Sequence, residues 1–301
     1  MLPSDLDTMA ARLVDCMRAV PAIGDLGTEI DERVRRLPAR LNEYGYDPWG
    51  LQPDTVARGL LGAALLYRYW FRAETHGIEN LPPGRMLVIA NHSGQVPIDA
   101  IMISVAMVLE ADPPRIVRGM GEYWLPTLPF VSVLMARMGS VVGTPKNCVD
   151  LLEAEEAVIA FPEGVDGINK LFSERYQLQE FGLGFMRLAL ETKAPIVPVA
   201  VVGAEEQAPA IANVRWLARL LAMPNFPVTL TWPHLGLLGL IPFPVKYYIY
   251  FGEPMYFEGY HNDEDEVIEH NVEQVKERIQ AMINAGLEER RRRGPILGIF
   301  F

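Results

Sequence analysis

Three short runs are apolar from end to end: Met86-Leu87-Val88-Ile89-Ala90, Ala157-Val158-Ile159-Ala160 and the stretch 195–202. None alternates with polar residues, so none has a face suited to water. Runs of this length, rich in β-branched residues, read as strands inside a sheet that is covered on both sides. Segments with helical spacing separate them, at 99–110, from Asn147 as a cap to about Glu155, and at 179–192. Strand and helix in alternation predict an α/β fold, a mainly parallel sheet flanked by helices. Further strands are expected at 140–143, 228–232 and 246–252, and helical segments within 119–138. Ahead of this pattern, apolar spacing predicts helices over 4–20, 27–43 and 54–71, punctuated by Gly24 and by the Gly45–Pro53 stretch. Asp263 to Arg293 reads as a long final helix. The expected organisation is a helical N-terminal region, 1–75, followed by an α/β domain with the C-terminal helix, 76–301.

Composition narrows the partners. A net charge of −11 over 301 residues argues against nucleic acid, whose phosphates require a basic surface. Cys16 and Cys148 offer neither zinc-ligand spacing nor a disulfide framework, which fits a reducing, cytoplasmic compartment. The first residues carry acids and lack the apolar centre of a signal peptide. Residues 55–71 and 226–245 are apolar, but Arg58 and Arg68 interrupt the first and Pro227, Pro233, Pro242 and Pro244 the second. Both read as surfaces that touch a membrane, not as spans. Arg290 to Arg293, followed by an apolar tail, can settle on an anionic bilayer. They equally suit the carboxyl end of a helix that begins with Asp263 to Glu266.

The chemistry concentrates in two loops that follow predicted strands, where ligands collect in open α/β sheets. The first is NHSGQVPID, 91–99, and the second FPEG, 161–164. Acyl transfer to a hydroxyl needs a base for the hydroxyl proton, and a histidine with a carboxylate neighbour meets that need. His92 and Asp99 supply such a pair, and Ser93 and Gly94 keep the loop small enough for a substrate chain. A structural reading stands beside this: Asp99 suits the cap of the helix that follows, and Glu163 can bond loop N–H groups with no ligand at all. Ser93 as the nucleophile of a hydrolase fits less well, because Asn91 and Gln95 stand where a nucleophile elbow has glycines.

NHSGQVPID, FPEG and APIVPV (194–199) occur in the order and spacing seen in the glycerolipid, or lysophospholipid, acyltransferases. The resemblance spans about His76 to Glu258. It implies an acyltransferase that uses acyl-CoA or acyl carrier protein as co-substrate and a lipid hydroxyl as acceptor, with no further cofactor and no metal. It implies a protein peripheral on the inner face of a membrane. His92 becomes the general base, Asp99 its partner, and Phe161, Pro162, Glu163 and Gly164 the acceptor-binding block. Arg137 is the nearest match to a further basic position of the family, with Lys146 as another cation beyond the next strand. Backbone N–H groups near Gly94 or Gly164 would stabilise the oxyanion. Two departures matter. Six residues, Ser93 to Ile98, separate His92 from Asp99, more than is usual, as in the monoacylglycerol/diacylglycerol-acyltransferase-like branch. After FPEG the chain continues Val165-Asp166-Gly167, so an acid replaces the arginine that grips an acceptor phosphate. Lys170 and Arg175 can return cations to that loop, or the acceptor can be a neutral hydroxyl. A scaffold protein that keeps the fold without activity is the remaining alternative.

Overall fold

The computed structural model describes residue 14 and residues 17–38, 40–92, 98–121, 131–214 and 226–293. Helices α1 (Pro21–Arg35) and α2 (Pro53–Leu65) come first, and a π-turn, Leu66–Trp70, extends α2. Then follow β1 (Glu74–His76), β2 (Met86–Ala90), α3 (Ile98–Leu109), β3 (Val117–Gly121), α4 (Val131–Arg137), β4 (Val141–Val142) and α5 (Pro145–Glu153). The second half contains β5 (Ala157–Ala160), α6 (Gly164–Ile168), α7 (Gly184–Thr192), β6 (Ile196–Val202), β7 (Ala210–Asn213), β8 (Pro227–Thr229), β9 (Tyr248–Phe251) and α8 (Asp265–Arg292).

Seven strands form the main sheet, in the order β1-β9-β6-β2-β5-β3-β4. From β6 to β4 every pairing is parallel; β9 runs antiparallel to β6 and carries β1 parallel to itself. Strand residues point alternately to the two faces. Met86, Val88 and Ala90 meet one core with α1, α2 and α3, whereas Leu87 and Ile89 meet the other with α5, α7 and α8. That is why the strand runs lack a polar position. The long helix α8 covers its face through one stripe, Ile268, Val272, Val275, Ile279 and Ile283, at helical spacing. Each such fully buried side chain contributes about 1.5–3 kcal/mol.

The mainly parallel sheet and the long C-terminal helix agree with the sequence pattern. Several details differ. Gly24 lies inside α1, so the helix expected over 27–43 runs from Pro21 to Arg35 instead; Pro21 suits its first turn. The expected helix over 4–20 falls almost wholly outside the described residues. Where helix was expected from 119, β3 takes Val117–Gly121, pairing with β5 and β4. A strand with Arg118 and two glycines carries a weak apolar signal. Arg118 is buried nonetheless, because Asp47 (2.5 Å) and Glu156 (3.1 Å) neutralise it. The cap of α5 is Thr144, whose hydroxyl accepts the Asn147 N–H, not Asn147 itself. Strands β7 and β8 form a separate antiparallel pair that includes part of the expected 228–232 strand.

Among the described residues no helix is long and apolar enough to cross a membrane. The segment 55–71 packs Val56, Leu60, Leu61, Ala64, Tyr67 and Phe71 into the core and exposes Tyr69 and Trp70.

Candidate active site

Strands β2, β5 and β6 lie side by side and parallel, so the loops after them meet at one edge. Leaving β2, the Asn91 amide grips β6, donating to the Val201 carbonyl at 3.1 Å and accepting the Val201 N–H at 2.7 Å. This anchor sets the position of His92. The His92 ring lies on the Phe161 ring, with centroids 4.2 Å apart and planes 24° from parallel. Its Nδ1 is 2.8 Å from Oδ2 of Asp99, which sits in the first turn of α3. Asp99 is fully buried and His92 is 7% exposed. The other Asp99 oxygen accepts the Ala100 N–H at 2.8 Å. A carboxylate at Nδ1 favours the tautomer with hydrogen there and leaves Nε2 able to take a proton. Burial and the Asp99 charge push the Tyr247 hydroxyl well above its usual range, so it stays neutral and donates to Gln207 at 2.6 Å.

Beneath this pair lies an ionic lattice. Glu163 Oε1 accepts the His92 N–H at 2.8 Å, and Oε2 accepts the Gln179 N–H at 2.8 Å. Lys170 Nζ is 3.1 Å from Glu163 and 3.1 Å from Glu205. All three charged groups are buried. Burial pushes Glu205 up to about 7, against the pull of Lys170 and the Tyr176 N–H. Burial works against the Lys170 charge, yet Glu205 and Glu163 outweigh it and hold that amine above its ordinary value. Further out, Arg290 pairs with Glu206 through two bonds of 2.7 Å, and Tyr176 donates to Glu206 at 2.6 Å.

The expected residues therefore take distinct places. His92, Asp99, Phe161 and Glu163 come together. Glu163 is engaged through both oxygens. Lys170 is enclosed by carboxylates rather than open toward a phosphate, and Arg175 stacks on Phe172 and donates to its carbonyl at 3.0 Å. Gly164 has φ +55° and opens α6, but its N–H donates to the Phe161 carbonyl at 3.0 Å, which occupies the donor expected to face an oxyanion. Pro162 lies in the same turn, its carbonyl accepting the Gly182 N–H at 3.0 Å. Arg137 ends α4 ahead of β4, and its carbonyl accepts the Gln52 N–H. Lys146 lies just past β4, salt-bridged to Asp150 at 2.7 Å. Ser93 and Gly94 lie outside the described residues. Among the described residues no three His, Cys, Asp or Glu side chains gather as a metal site requires.

Glu205, Gln179 and Gly167 escaped the sequence reading. The signal for Glu205 was present, in two acids that follow an apolar strand after Gly203 and Ala204. Gly167 carries no such signal: a Cβ there would stand 2.7 Å from the Glu163 Cβ and 3.0 Å from the His92 Cβ. Gly167→Ala is expected to destabilise the fold by about 1–3 kcal/mol and to depress activity, measured by urea unfolding alongside turnover. Wild-type values for both would show that the two loops can separate freely.

Comparison with known proteins bears on this edge. A family model described as Acyltransferase matches residues 72–202, from β1 to the end of β6. An uncharacterised protein of Mycobacterium leprae is 40% identical over 256 residues, covering 83% of this chain and 69% of its own. The DGAT1/2-independent enzyme synthesizing storage lipids of Mus musculus is 26% identical over 243 residues, 80% of this chain and 68% of that protein. Among solved structures, the 1-acyl-sn-glycerophosphate acyltransferase PlsC of Thermotoga maritima aligns with a TM-score of 0.49 and 17% identity, covering 76% of this chain and 80% of that one. The chain belongs to the family that this Acyltransferase model describes.

Proposed function

We propose that the protein moves a fatty acyl group from a thioester, acyl-CoA or acyl carrier protein, to a hydroxyl of a glycerolipid or another lipid. The observation that carries this reading is the 2.8 Å contact between His92 Nδ1 and buried Asp99 at the carboxyl edge of the sheet. His92 Nε2 takes the acceptor's hydroxyl proton as its oxygen attacks the thioester carbonyl. Asp99 stabilises the imidazolium that forms. The carbon–sulfur bond breaks, the ester remains on the acceptor, and the sulfur leaves as a thiol with the proton from the ring. No side-chain nucleophile is required. Cys148 would be a poor one: it is buried, and burial pushes its thiol up to about 11. Glu163 serves by holding the His92 backbone.

A neutral acceptor, a mono- or diacylglycerol or a long-chain alcohol, suits the site better than a phosphorylated one. Asp166 stands where the family grips phosphate, and Lys170 is already held by two carboxylates. The storage-lipid enzymes among the relatives point the same way. The test is product analysis by mass spectrometry, with purified protein, acyl-CoA and a panel of neutral and phosphorylated acceptors. A new ester on a neutral acceptor with release of free CoA is expected. Thioester hydrolysis without any ester product would point to a hydrolase, and no turnover on the whole panel would reject the reading.

A further inference from the structure

Between the 3-10 turn Phe172–Glu174 and α7, the chain is neither helix nor strand over 177–182. Backbone groups outside a ladder need other partners, and here remote side chains supply them. Gln280 of α8 takes two: its Nε2 donates to the Tyr176 carbonyl at 2.9 Å, and its Oε1 accepts the Leu178 N–H at 3.1 Å. Glu163 takes the next, accepting the Gln179 N–H at 2.8 Å. Residues 176–179 therefore form a strap, tied to α8 at one end and to the carboxylate that holds His92 at the other.

Tyr176 anchors the strap. It is buried and has φ +66°, a left-handed conformation that a large aromatic residue adopts only where its surroundings impose it. The turn after β6 imposes it. The Tyr176 hydroxyl accepts the Gly203 N–H at 3.1 Å and donates to Glu206 at 2.6 Å, and the Tyr176 N–H donates to Glu205 at 2.8 Å. Burial and the Glu206 charge hold this hydroxyl well above its usual range, so the donor keeps its proton. The turn is itself fixed. Gly203, at φ +102°, lies so close to the Lys246 carbonyl that no Cβ fits, and Arg290 ties Glu206 to α8 through two bonds of 2.7 Å.

A strained residue with every polar group bonded marks a segment whose geometry is used. What this segment sets is Glu163. Oε1 of that side chain accepts the His92 N–H, whereas Oε2 meets the Gln179 N–H and the Lys170 amine. Gln179 belongs to the strap. Lys170 is placed by Glu205, the same carboxylate that takes the Tyr176 N–H. Both contacts on Oε2 thus trace back to Tyr176.

We infer that Tyr176 and Gln280 are positioning residues for the catalytic base: through the strap they fix Glu163, which fixes the His92 backbone and with it the ring against Asp99. Neither touches the reacting atoms. Their effect on turnover rests on the acyl-transfer reading; their hold on His92 does not. The chain has five histidines, so [15N]histidine labelling gives five backbone amide signals, and His92→Gln identifies the one from His92. An N–H bonded to a carboxylate is charge-assisted, so that signal reports the Glu163 contact. Gln280→Met keeps the size and helix preference of the residue and loses both bonds. Tyr176→Phe keeps the ring and loses the hydroxyl. In each variant the His92 signal should move while the other four stay. Turnover should fall about tenfold with KM for the acyl donor unchanged, and thermal unfolding should show both variants folded. A His92 signal unmoved in both variants overturns the inference. So does a moved signal with wild-type turnover, or a raised KM with turnover intact. A signal that moves, in a protein whose wild type acylates no acceptor, leaves the hold on His92 standing and rejects the acyl-transfer reading instead.

Discussion

Replacing His92 with glutamine is expected to lower acyl-transfer turnover by at least about a thousandfold while the protein stays folded, the loss the proposed general-base role requires. The choice of side chain matters. His92→Ala removes the ring from beside the buried Oδ2 of Asp99, an added destabilisation of about 1–3 kcal/mol. An amide at position 92 can still donate toward Asp99, so the glutamine variant separates proton transfer from folding. Asp99→Asn keeps the shape of the pair and loses the charge that orients the ring; a fall of about a hundredfold to ten-thousandfold in turnover is expected. Stopped assays of thiol release together with thermal unfolding read both properties. Wild-type turnover in His92→Gln would remove the ring from the reaction and with it the proposed mechanism.

The second large effect concerns stability. Lys170→Met leaves Glu163 and Glu205 buried with no cation between them, and breaking a buried pair in this way costs about 3–5 kcal/mol. Urea unfolding would register it as a lower midpoint. The loss should shrink in Lys170→Met/Glu205→Gln, where one of the two orphaned charges is gone. It should also shrink at lower pH. Glu205 already has its folded-state pKa raised from the ordinary 4.5 to about 7 by burial. The folded state therefore binds the proton more tightly than the unfolded state, and stability gained from this group rises as pH falls from about 7 toward 4.5. Removing the lysine strengthens that dependence. Because Glu163 also holds the His92 N–H, the single variant should lose activity under conditions where it remains folded. A midpoint equal to wild type at neutral pH would show that the lattice does not carry this stability.

Much of the architecture is legible in short stretches of chain. The runs at 86–90, 157–160 and 196–202 are apolar on both sides because helices cover both faces, and each is a central strand. The repeating apolar stripe of α8 is equally plain. Elements whose stability comes from distant partners are not. Strand β3 contains Arg118, which suits a sheet only because Asp47 and Glu156 close around it. Strand β1 is three residues long and exists through its pairing with β9, far along the chain. Gly24 promised a break in a helix, but a single glycine costs about 1 kcal/mol there, less than the packing of Leu26, Ile30 and Val34 returns.

The site divides in the same way. NHSGQVPID and FPEG announce a histidine and two carboxylates after strands, because loop chemistry is written in contiguous residues. Which carboxylate does what is a matter of distance. Asp99 reaches the ring, whereas Glu163, 71 positions beyond His92, takes its backbone N–H. Lys170 looked like a cation for a substrate and is instead enclosed by Glu163 and Glu205, the latter 35 positions away. Local patterns report what each segment will become, since helix and strand depend on near neighbours. Partners are assigned only when strand order brings distant loops to one edge, and burial then leaves each charge no choice but the nearest opposite one.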